Sequence, residues 1–532
     1  MKYHILRKLF VFVGTAAIFV LSVFAASNGV GKLENITSRS VVPGVTYQQS
    51  KAVDGEKIRI INQLEFNINR SDYMVLPWFG TDLYSRHTLT QMAEDAQYRG
   101  YSIVGGINGD FFNVDGTVTG MPVGVVIRDG RIICSEDVPP NIGQDKQDSW
   151  QTIGFKKDGT AVLDKLTFTK TLTIVKEDGT QSTMEFALFN RNVTGAGLNV
   201  FTEDFGLSTK TPEYPSIVLR ILQGEFRINE TVVCTVEKID TLADIPLEKG
   251  KVVICAPYSY ENEAMVDEIR ETLKIGMRVD LKMSASSEWN GVWHAISGPD
   301  AVLSGGTVTG NPFIKPTNYP SSLVGIKPDG SIVMVQIDGR GSGGSYGIGA
   351  IQAGQYMKSL GCTDALLFDG GGSSEIIAQS DGNFTVLNQP SDGSERKIGT
   401  CLLIAEKSDA FLNQPVIKPI PPYSSVTSKP ADHAAQMIPS CFDHQSAFSS
   451  AAQSRITHFE TGNVVSEAIE NSVSRENDMI GETDCDSVTS TVDTQFAESV
   501  FGTMIWVIIG IVFAGIGMIG WLIWRKRDFK SH

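Results

Sequence analysis

Three aspartates stand at or just after the ends of predicted strands, beside glycines and hydroxyl groups. Asp110 follows a short β-branched run, Asp338 follows the run 331–337, and Asp369 follows the run 365–368. Ligand-binding groups gather on loops that leave a sheet, and a carboxylate there can move a proton or stabilise developing positive charge. We therefore predict that Asp110, Asp338 and Asp369 are the catalytic carboxylates.

A glycine triplet directly after Asp369 is the second feature that could take part in binding or catalysis. Consecutive glycine amides can form an anion-binding nest, and neighbouring hydroxyls add donors. An arginine at a strand end can hold a phosphate with two parallel hydrogen bonds. The structural alternative is that the triplet forms a bulge or a bend. The candidate phosphate-binding residues are Arg340, Gly370, Gly371, Gly372, Ser373, Ser374 and Arg396.

The segment 105–113 combines glycines, an amide, a carboxylate and two aromatic residues. Glycine lets a backbone approach a ligand closely, and an aromatic side chain offers a face to a sugar ring. A tight turn capped by an Asx side chain is the structural alternative. We take Asn108 and Phe112 from this segment as candidate substrate-binding residues.

The elements that must position these residues are mainly short strands. β-Branched runs precede Asp-Gly pairs at 129–130 and 329–330, which is a strong hairpin signal. Helical patterns cover 88–99 and 348–360, the second closing at Gly361. Strands that outnumber helices, with a few strand–helix–strand passages, predict an α+β domain around a mixed sheet. Residues 136–279 are predicted to be a β-rich insertion or subdomain.

The two ends of the chain predict a secreted, membrane-anchored protein. Residues 1–26 have the basic start and apolar run of a signal peptide, and residues 503–524 are uncharged and long enough to cross a bilayer. The basic residues that open the tail 525–532 place this tail in the cytoplasm. Residues 412–502 are rich in proline, serine and acidic residues and predict a flexible stalk. The folded part, 41–406, is then extracytoplasmic.

Composition excludes some functions. The chain has 532 residues, 45 Lys and Arg against 60 Asp and Glu, and a net charge of −15. Nucleic-acid binding needs a concentrated basic face, so we exclude nucleic-acid partners. The seven cysteines show no zinc-site spacing, and we predict no metal or other cofactor.

Taken in order, the motifs resemble the phosphodiester glycosidase family, whose bacterial members are often labelled exopolysaccharide biosynthesis proteins. The segments that carry the resemblance are GGINGDFFN, MPVGVVIRDG, VGIKPDG, VMVQIDGR, LGCTDALLFDGGGSSEI and SDGSERKIGTCLLI. The similarity spans 88–406 and is weaker across 136–279. It implies a hydrolase that releases a sugar from a sugar-1-phosphodiester. The family usually carries an Arg-Thr pair where this chain has Ser321-Ser322. The loss of this arginine predicts either altered contacts with the substrate or a loss of activity.

Three functions follow from these residues. The first is a membrane-anchored glycosidase that acts on sugar phosphodiesters of surface or extracellular glycans. The second is a non-catalytic glycan- or wall-binding protein on the same fold, which the Ser321-Ser322 pair favours. The third is a phosphodiesterase in which the three aspartates hold a divalent cation through their oxygens.

Overall fold

The structure is a computed structural model that describes residues 28–116, 118–136, 150–192, 197–257, 263–314 and 316–407. The described residues all fall in the compact unit Met1–Pro422. The predicted signal peptide, stalk, membrane span and tail lie outside the described residues. Among the residues that are described, no helix is long and apolar enough to cross a membrane.

Strands make up most of the secondary structure. In the first half of the described chain they are β1 (Lys32–Val42), β2 (Val45–Asp54), β3 (Lys57–Asn67), β4 (Tyr73–Phe79), β5 (Ile103–Asn108), β6 (Val126–Arg128), β7 (Arg131–Cys134), β8 (Gln151–Lys156), β9 (Ala161–Asp164), β10 (Thr169–Val175), β11 (Gln181–Glu185), β12 (Leu188–Phe189) and β13 (Asn199–Phe201).

The remaining strands are β14 (Tyr214–Gln223), β15 (Thr231–Leu242), β16 (Lys251–Cys255), β17 (Arg278–Ser284), β18 (Val292–Gly298), β19 (Asp300–Ser304), β20 (Thr307–Val308), β21 (Ser321–Ile326), β22 (Ser331–Ile337), β23 (Asp364–Leu367), β24 (Ile376–Ser380), β25 (Asn383–Val386) and β26 (Thr400–Glu406). The α-helices are α1 (Leu89–Tyr98), α2 (Glu263–Thr272) and α3 (Ala350–Ser359).

These strands form four sheets. Sheet I has the order β1-β2-β3-β22-β21-β23-β19-β20, and sheet II has the order β11-β10-β17-β15-β14-β16-β13-β12. Sheet III is β7-β6-β18-β8-β9, and sheet IV is β25-β24-β5-β26-β4. Sheet II is built mainly from the region predicted as an insertion, although most of β17 lies beyond residue 279. Its apolar cluster includes Leu172 and Leu281 and is shared with sheet III through Ile127 and Ala295.

Sheets I and IV pack face to face, and each carries a helix on its other face. Leu64 and Met334 of sheet I contribute to the same buried cluster as Leu402 of sheet IV. Tyr356 of α3 packs in the cluster on the outer face of sheet I, and Leu89 of α1 packs in that of sheet IV. The order of layers is therefore α3, sheet I, sheet IV, α1. Strand β22 is buried throughout because both of its faces are covered, and most of its residues are apolar.

The local predictions agree with the structure. Helix α1 begins after Thr88, whose hydroxyl accepts a hydrogen bond from the Gln91 N–H at 3.2 Å in a capping box. Helix α3 is followed by Gly361, which has φ +90°. The hairpin β6–β7 turns at Asp129 and Gly130, with φ values of 54° and 75°. Both residues have the left-handed backbone that a tight hairpin turn requires.

The predicted mixed sheet is wrong in one respect. In the described residues every strand pair is antiparallel except β12 with β13. Two of the three strand–helix–strand passages, β4–α1–β5 and β22–α3–β23, have a third strand between their two strands, and β16–α2–β17 has two strands in between. Strand β26 lies between β4 and β5, and β21 lies between β22 and β23. The α+β description therefore holds only as a β-rich domain with a few helices.

Candidate functional site

Antiparallel register brings the predicted site residues to one edge of the packed sheets. The start of β21 lies beside the ends of β22 and β23, because Ser321 faces Ile337 and Leu323 faces Leu367. In sheet IV the start of β24 lies beside the end of β5, because Ile376 faces Ile107. The loops after β22, β23 and β5 therefore meet at this edge.

A buried network of polar side chains connects these strand ends. The Ser322 hydroxyl donates to Asn108 Oδ1 at 2.5 Å and lies 2.9 Å from the Ser374 hydroxyl. Gln336 Nε2 donates to Ser374 at 3.2 Å and to Asp338 Oδ1 at 3.1 Å. Satisfied buried networks of this kind hold their members in one arrangement. The network thus fixes the Asp338 carboxylate relative to the glycine loop.

Asn108 is a clamp within this network. Its Nδ2 donates to the Asp369 carbonyl at 2.8 Å, and its Oδ1 also accepts the Glu375 N–H at 3.1 Å. The amide is buried, and both of its ends have protein partners. The Asn108 amide therefore joins the loops that carry Asp369 and Glu375, and its contact with substrate stays a prediction.

Asp338 is a buried carboxylate with the chemistry of a base. It receives hydrogen bonds from Gln336 and, at 3.3 Å, from the Gln389 N–H. Burial raises the pKa of Asp338 to about 6, and these hydrogen bonds partly oppose that rise. The group is mainly ionised at neutral pH and can accept a proton.

Two arginines meet above the glycine loop. The Arg340 guanidinium stacks on Tyr319, 3.9 Å from the ring centroid, and lies 3.9 Å from an Asp392 oxygen. Arg396 Nε donates to the same carboxylate at 2.8 Å. The side chains of Arg340 and Arg396 are 34% and 43% exposed, so solvent reaches both. Arg340 also has φ +55°, a left-handed backbone that is uncommon for arginine.

The glycines beneath these arginines leave no room for a side chain. A Cβ on Gly372 would lie 2.2 Å from both the Arg396 guanidinium and the Asp392 carboxylate. Gly371 has φ +61°, and a Cβ there would lie 3.0 Å from Arg340. The triplet therefore forms a bend, as the structural alternative predicted, and this bend also lies close to the guanidinium groups of Arg340 and Arg396.

The amides of the triplet contribute less than a simple nest predicts. The Gly370 N–H donates to Asp369 Oδ1 at 2.8 Å, and the Gly371 N–H donates to the Pro320 carbonyl at 3.1 Å. Both donors have partners within the protein. At this loop the guanidinium groups are the stronger candidates for anion binding.

Sequence reasoning missed Glu375 and Asp392. The Glu375 side chain is buried, its Oε1 accepts the Arg396 N–H at 3.0 Å, and burial raises its pKa to about 8. Glu375 Oε2 and the Ser373 hydroxyl are buried without a hydrogen-bond partner among the described residues. Such unsatisfied groups are uncommon and point to a functional loop. Glu375 follows the glycine motif directly, but sequence alone does not show that it is buried.

The Asp110 side chain faces other partners. Its two oxygens accept hydrogen bonds from the Phe111 and Gly124 N–H groups at 2.8 and 2.6 Å, and from Trp150 at 3.2 Å. Burial raises the pKa of Asp110 to about 7. Gly124 and Trp150 line a cavity of about 110 Å³. Asp110 thus belongs to the surroundings of this cavity, while its backbone stays next to the Asp369 loop.

Phe112 packs against the apolar cluster between sheet IV and α1. The contact of Phe112 with a sugar ring stays a prediction.

Among the described residues, no three His, Cys, Asp or Glu side chains lie close enough together to hold a metal ion. Asp110, Asp338 and Asp369 are not gathered into such a group.

The Ser321-Ser322 departure lies inside the site. Both side chains are buried, and Ser322 supplies the hydroxyl that joins Asn108 to Ser374. A threonine would supply the same group, so the change at 322 preserves the network's chemistry. Serine at 321 lacks the positive charge of the family's arginine, and Arg340 and Arg396 are two positive charges that lie near this edge.

Comparison with known proteins agrees with the motif-based resemblance. Residues 244–405 match the family model of phosphodiester glycosidases, and this range contains Asp338, Arg340, the glycine triplet and Arg396. The resemblance to this hydrolase family is confirmed over that range. A 91-residue stretch is 36% identical to the SPbeta prophage-derived uncharacterized protein YomE of Bacillus subtilis (strain 168), covering 17% of this chain and 13% of that relative.

Two solved structures are similar to this chain. A hypothetical protein from Synechocystis aligns with a TM-score of 0.52 and 15% identity, over 70% of this chain and 64% of its own. This likeness shows a shared fold. The zebrafish N-acetylglucosamine-1-phosphodiester alpha-N-acetylglucosaminidase catalytic domain aligns with a TM-score of 0.33 and 14% identity, over 70% of this chain and 87% of that one.

Proposed function

We propose that this protein hydrolyses sugar-1-phosphodiesters at the anomeric carbon. The observation that carries the proposal is the pair of arginines at Asp392, directly above Gly371 and Gly372 and beside the loop of the buried Asp338. A phosphodiester carries one negative charge, and its oxygens match the planar donors of arginine. The substrate phosphate would take the place of the Asp392 carboxylate between the two guanidinium groups.

The reaction then needs little acid catalysis. The bond between the anomeric carbon and the bridging oxygen breaks, and its electron pair leaves with the phosphomonoester. Water forms the new bond to the anomeric carbon, and its proton passes to the Asp338 carboxylate. The neutral Glu375 carboxyl and the two arginines stabilise the charge on the leaving phosphate. The Asp369 carboxylate faces the positive charge that develops on the sugar.

The predicted location completes the proposal. An extracytoplasmic enzyme anchored by 503–524 would act on phosphodiester-linked sugars of surface or extracellular glycans. A glycan-binding protein without activity is the second candidate, favoured by the buried Ser321 in place of the family's arginine.

The decisive experiment is hydrolysis of an alkyl sugar-1-phosphodiester in ¹⁸O-labelled water by the full chain. We expect free sugar and an alkyl phosphate that carries no ¹⁸O, because the bond to carbon is the one that breaks. Label in the phosphate product would establish a phosphodiesterase instead. Saturable binding without any product would establish the glycan-binding function.

A substitution links that activity to the arginines. Arg340→Lys keeps the charge but loses the planar fork, so KM for the phosphodiester should rise at least about tenfold. Arg39→Lys is the matched control, because Arg39 also stacks on a tyrosine, at 5.3 Å, but belongs to the exposed strand β1. Equal kinetics for both variants would contradict the proposed phosphate site.

A further inference from the structure

A second group of cations lies at the hairpin β6–β7. Trp78, Arg99, Tyr101, Arg128, Asp129 and Arg131 line a cavity of about 240 Å³, which we call the arginine pocket. None of these residues belongs to the site described above. They come from the end of β4, the end of α1 and the Asp129-Gly130 turn.

Two of the three arginines have carboxylate partners. Arg99 donates to Asp95 at 3.0 Å, and Arg131 pairs with Asp204. Asp95 also accepts the Trp78 indole N–H at 3.1 Å, so Trp78 and Arg99 are held in place together. These pairs give the pocket a rigid wall whose charges are already balanced.

Arg128 differs from its neighbours. Its guanidinium lies between two rings, 4.4 Å from the Trp78 centroid and 4.6 Å from that of Phe79. In the part of the chain that the structure describes, it forms neither a hydrogen bond nor an ion pair with a carboxylate. Burial lowers its pKa, which reflects the cost of keeping a cation away from water. A guanidinium held by its faces keeps its N–H edges for an anion.

Asp129 supplies an acceptor in the same pocket. Its Oδ2 accepts the Tyr101 hydroxyl at 2.7 Å, whereas its Oδ1 is buried and accepts no hydrogen bond from the described residues. The His294 Nε2 atom is 3.9 Å from this oxygen, which is too far for a hydrogen bond. Because Oδ1 is buried, a ligand hydroxyl would reach Asp129 at Oδ2, which keeps a second lone pair beside the Tyr101 hydrogen bond. A ligand that carries a hydroxyl and an anionic group would then pair with Asp129 and Arg128 together.

The size of the cavity restricts the ligand further. Pockets for drug-sized molecules usually measure roughly 300–1,000 Å³. A cavity of about 240 Å³ accommodates one sugar residue rather than an oligosaccharide. We propose that the arginine pocket binds a single anionic sugar, a monosaccharide with hydroxyl groups and one phosphate or carboxylate group.

The test measures binding and is independent of turnover. Glucose 6-phosphate, glucuronate, glucose and inorganic phosphate are titrated by calorimetry into the full chain and into Arg340→Ala, which lacks one arginine of the proposed phosphodiester site. We expect both anionic sugars to bind Arg340→Ala. Glucose and inorganic phosphate should each bind at least about tenfold more weakly, because each satisfies only one of the two groups.

Two variants in the Arg340→Ala background identify the pocket. Arg128→Met keeps most of the length of the side chain without its charge, and it should weaken the binding of both anionic sugars at least about tenfold. Asparagine tolerates the left-handed backbone of this turn, so Asp129→Asn should fold. It should weaken the binding of both anionic sugars severalfold and leave the binding of inorganic phosphate unchanged. Arg39→Met is the matched control and should change nothing. The melting temperature of each variant is measured alongside, and Asp129→Asn remains the test if Arg128→Met does not fold.

Three outcomes would overturn the proposal. The first is that neither anionic sugar binds Arg340→Ala. The second is that Asp129→Asn and a folded Arg128→Met both bind the sugars as tightly as their background does. The third is that inorganic phosphate binds as tightly as glucose 6-phosphate, which would reduce the pocket to a simple anion site.

Discussion

Asp338 and Glu375 are two buried carboxyl groups whose pKa values lie on opposite sides of neutral pH. Burial raises both pKa values, to about 6 for Asp338 and about 8 for Glu375. Asp338 receives hydrogen bonds from Gln336 and Gln389, which favour its charged form. Glu375 accepts one hydrogen bond, from a backbone N–H, and the negative charges of Glu395 and Asp392 raise its pKa further. Carboxyl groups separated in this way can serve as base and acid in one site.

The first prediction concerns Asp338. Asp338→Asn should reduce turnover by at least about a hundredfold, because the amide cannot accept the proton from water. Asp364→Asn is the control, because Asp364 begins β23 at the opposite edge of the sheet and accepts the Gly305 N–H at 2.9 Å. Steady-state kinetics and thermal unfolding are measured for both. Full activity of a folded Asp338→Asn variant would place the chemistry elsewhere.

The second prediction concerns the pH dependence of stability. The raised pKa of Glu375 means that the folded chain holds a proton that the unfolded chain releases near its ordinary value of 4.5. This contribution to stability is complete below about 4.5 and is lost as the pH rises toward about 8. Glu375→Gln has no such proton to lose, so its free energy of unfolding should fall less over this range. Urea unfolding at several pH values measures the difference.

A difference of a few kcal/mol between pH 5 and pH 8 is the expected size for a fully buried carboxyl. Glu185→Gln serves as the control, because Glu185 is exposed on β11 in another sheet and is not among the charges that shift the pKa of Glu375. Identical pH profiles for Glu375→Gln and the unsubstituted protein would show that Glu375 is solvated.

At the scale of elements, the loop from β23 to β24 and the loop from β25 to β26 act as one unit. The first carries the glycine triplet, and the second carries Asp392 and Arg396. Asn388 joins them, because it accepts the Ile376 N–H at 3.1 Å and donates to the Ser374 carbonyl at 3.2 Å. The position of each arginine therefore depends on the backbone of the other loop.

The third prediction tests that dependence. Gly371→Ala and Gly382→Ala both place a methyl group on a left-handed backbone, at φ +61° and +84°, and each should lose about 1 kcal/mol of stability. Only the methyl at 371 approaches Arg340, whereas Gly382 has open space around it. KM for the phosphodiester should rise in Gly371→Ala alone. An equal change in both variants would mean that backbone strain, rather than contact with Arg340, determines substrate binding.

At the scale of the whole molecule, the layered part is covered on both faces and the site lies at one edge. Sheets I and IV bury their facing side chains, and α3 and α1 cover the outer faces. The rim is where the strand ends expose Arg340 and Arg396. A stalk of the length predicted for 412–502 would hold this rim away from a membrane.

The fourth prediction concerns this arrangement in cells. Protease added outside intact cells that express the full chain should release a large fragment containing 41–406, because the proline- and serine-rich stalk is the susceptible segment. The fragment is detected in the medium by an antibody against the folded part, with a cytoplasmic protein as the control for lysis. Protection of the folded part until the cells are broken would reverse the predicted orientation.

Local sequence determined much of this protein. The Asp-Gly hairpins, the cap of α1, the end of α3 and the glycine triplet follow from residues that are neighbours in the chain. The motif order also identified the phosphodiester glycosidase resemblance, which the match over 244–405 confirms. These features were predictable because turn and cap preferences act over a few residues.

Only the tertiary structure decided which side chains meet. Asp110 and Asp338 both follow strands, yet the register and packing of those strands direct Asp110 to Gly124 and Trp150 and Asp338 to Gln336. Glu375 and Asp392 join the site through burial and through a loop contact that local patterns do not contain. The intervening strands β21 and β26 likewise make sheets I and IV antiparallel, whereas a mixed sheet was predicted. Each of these outcomes depends on contacts between distant segments, and a change of register by one residue would reverse them.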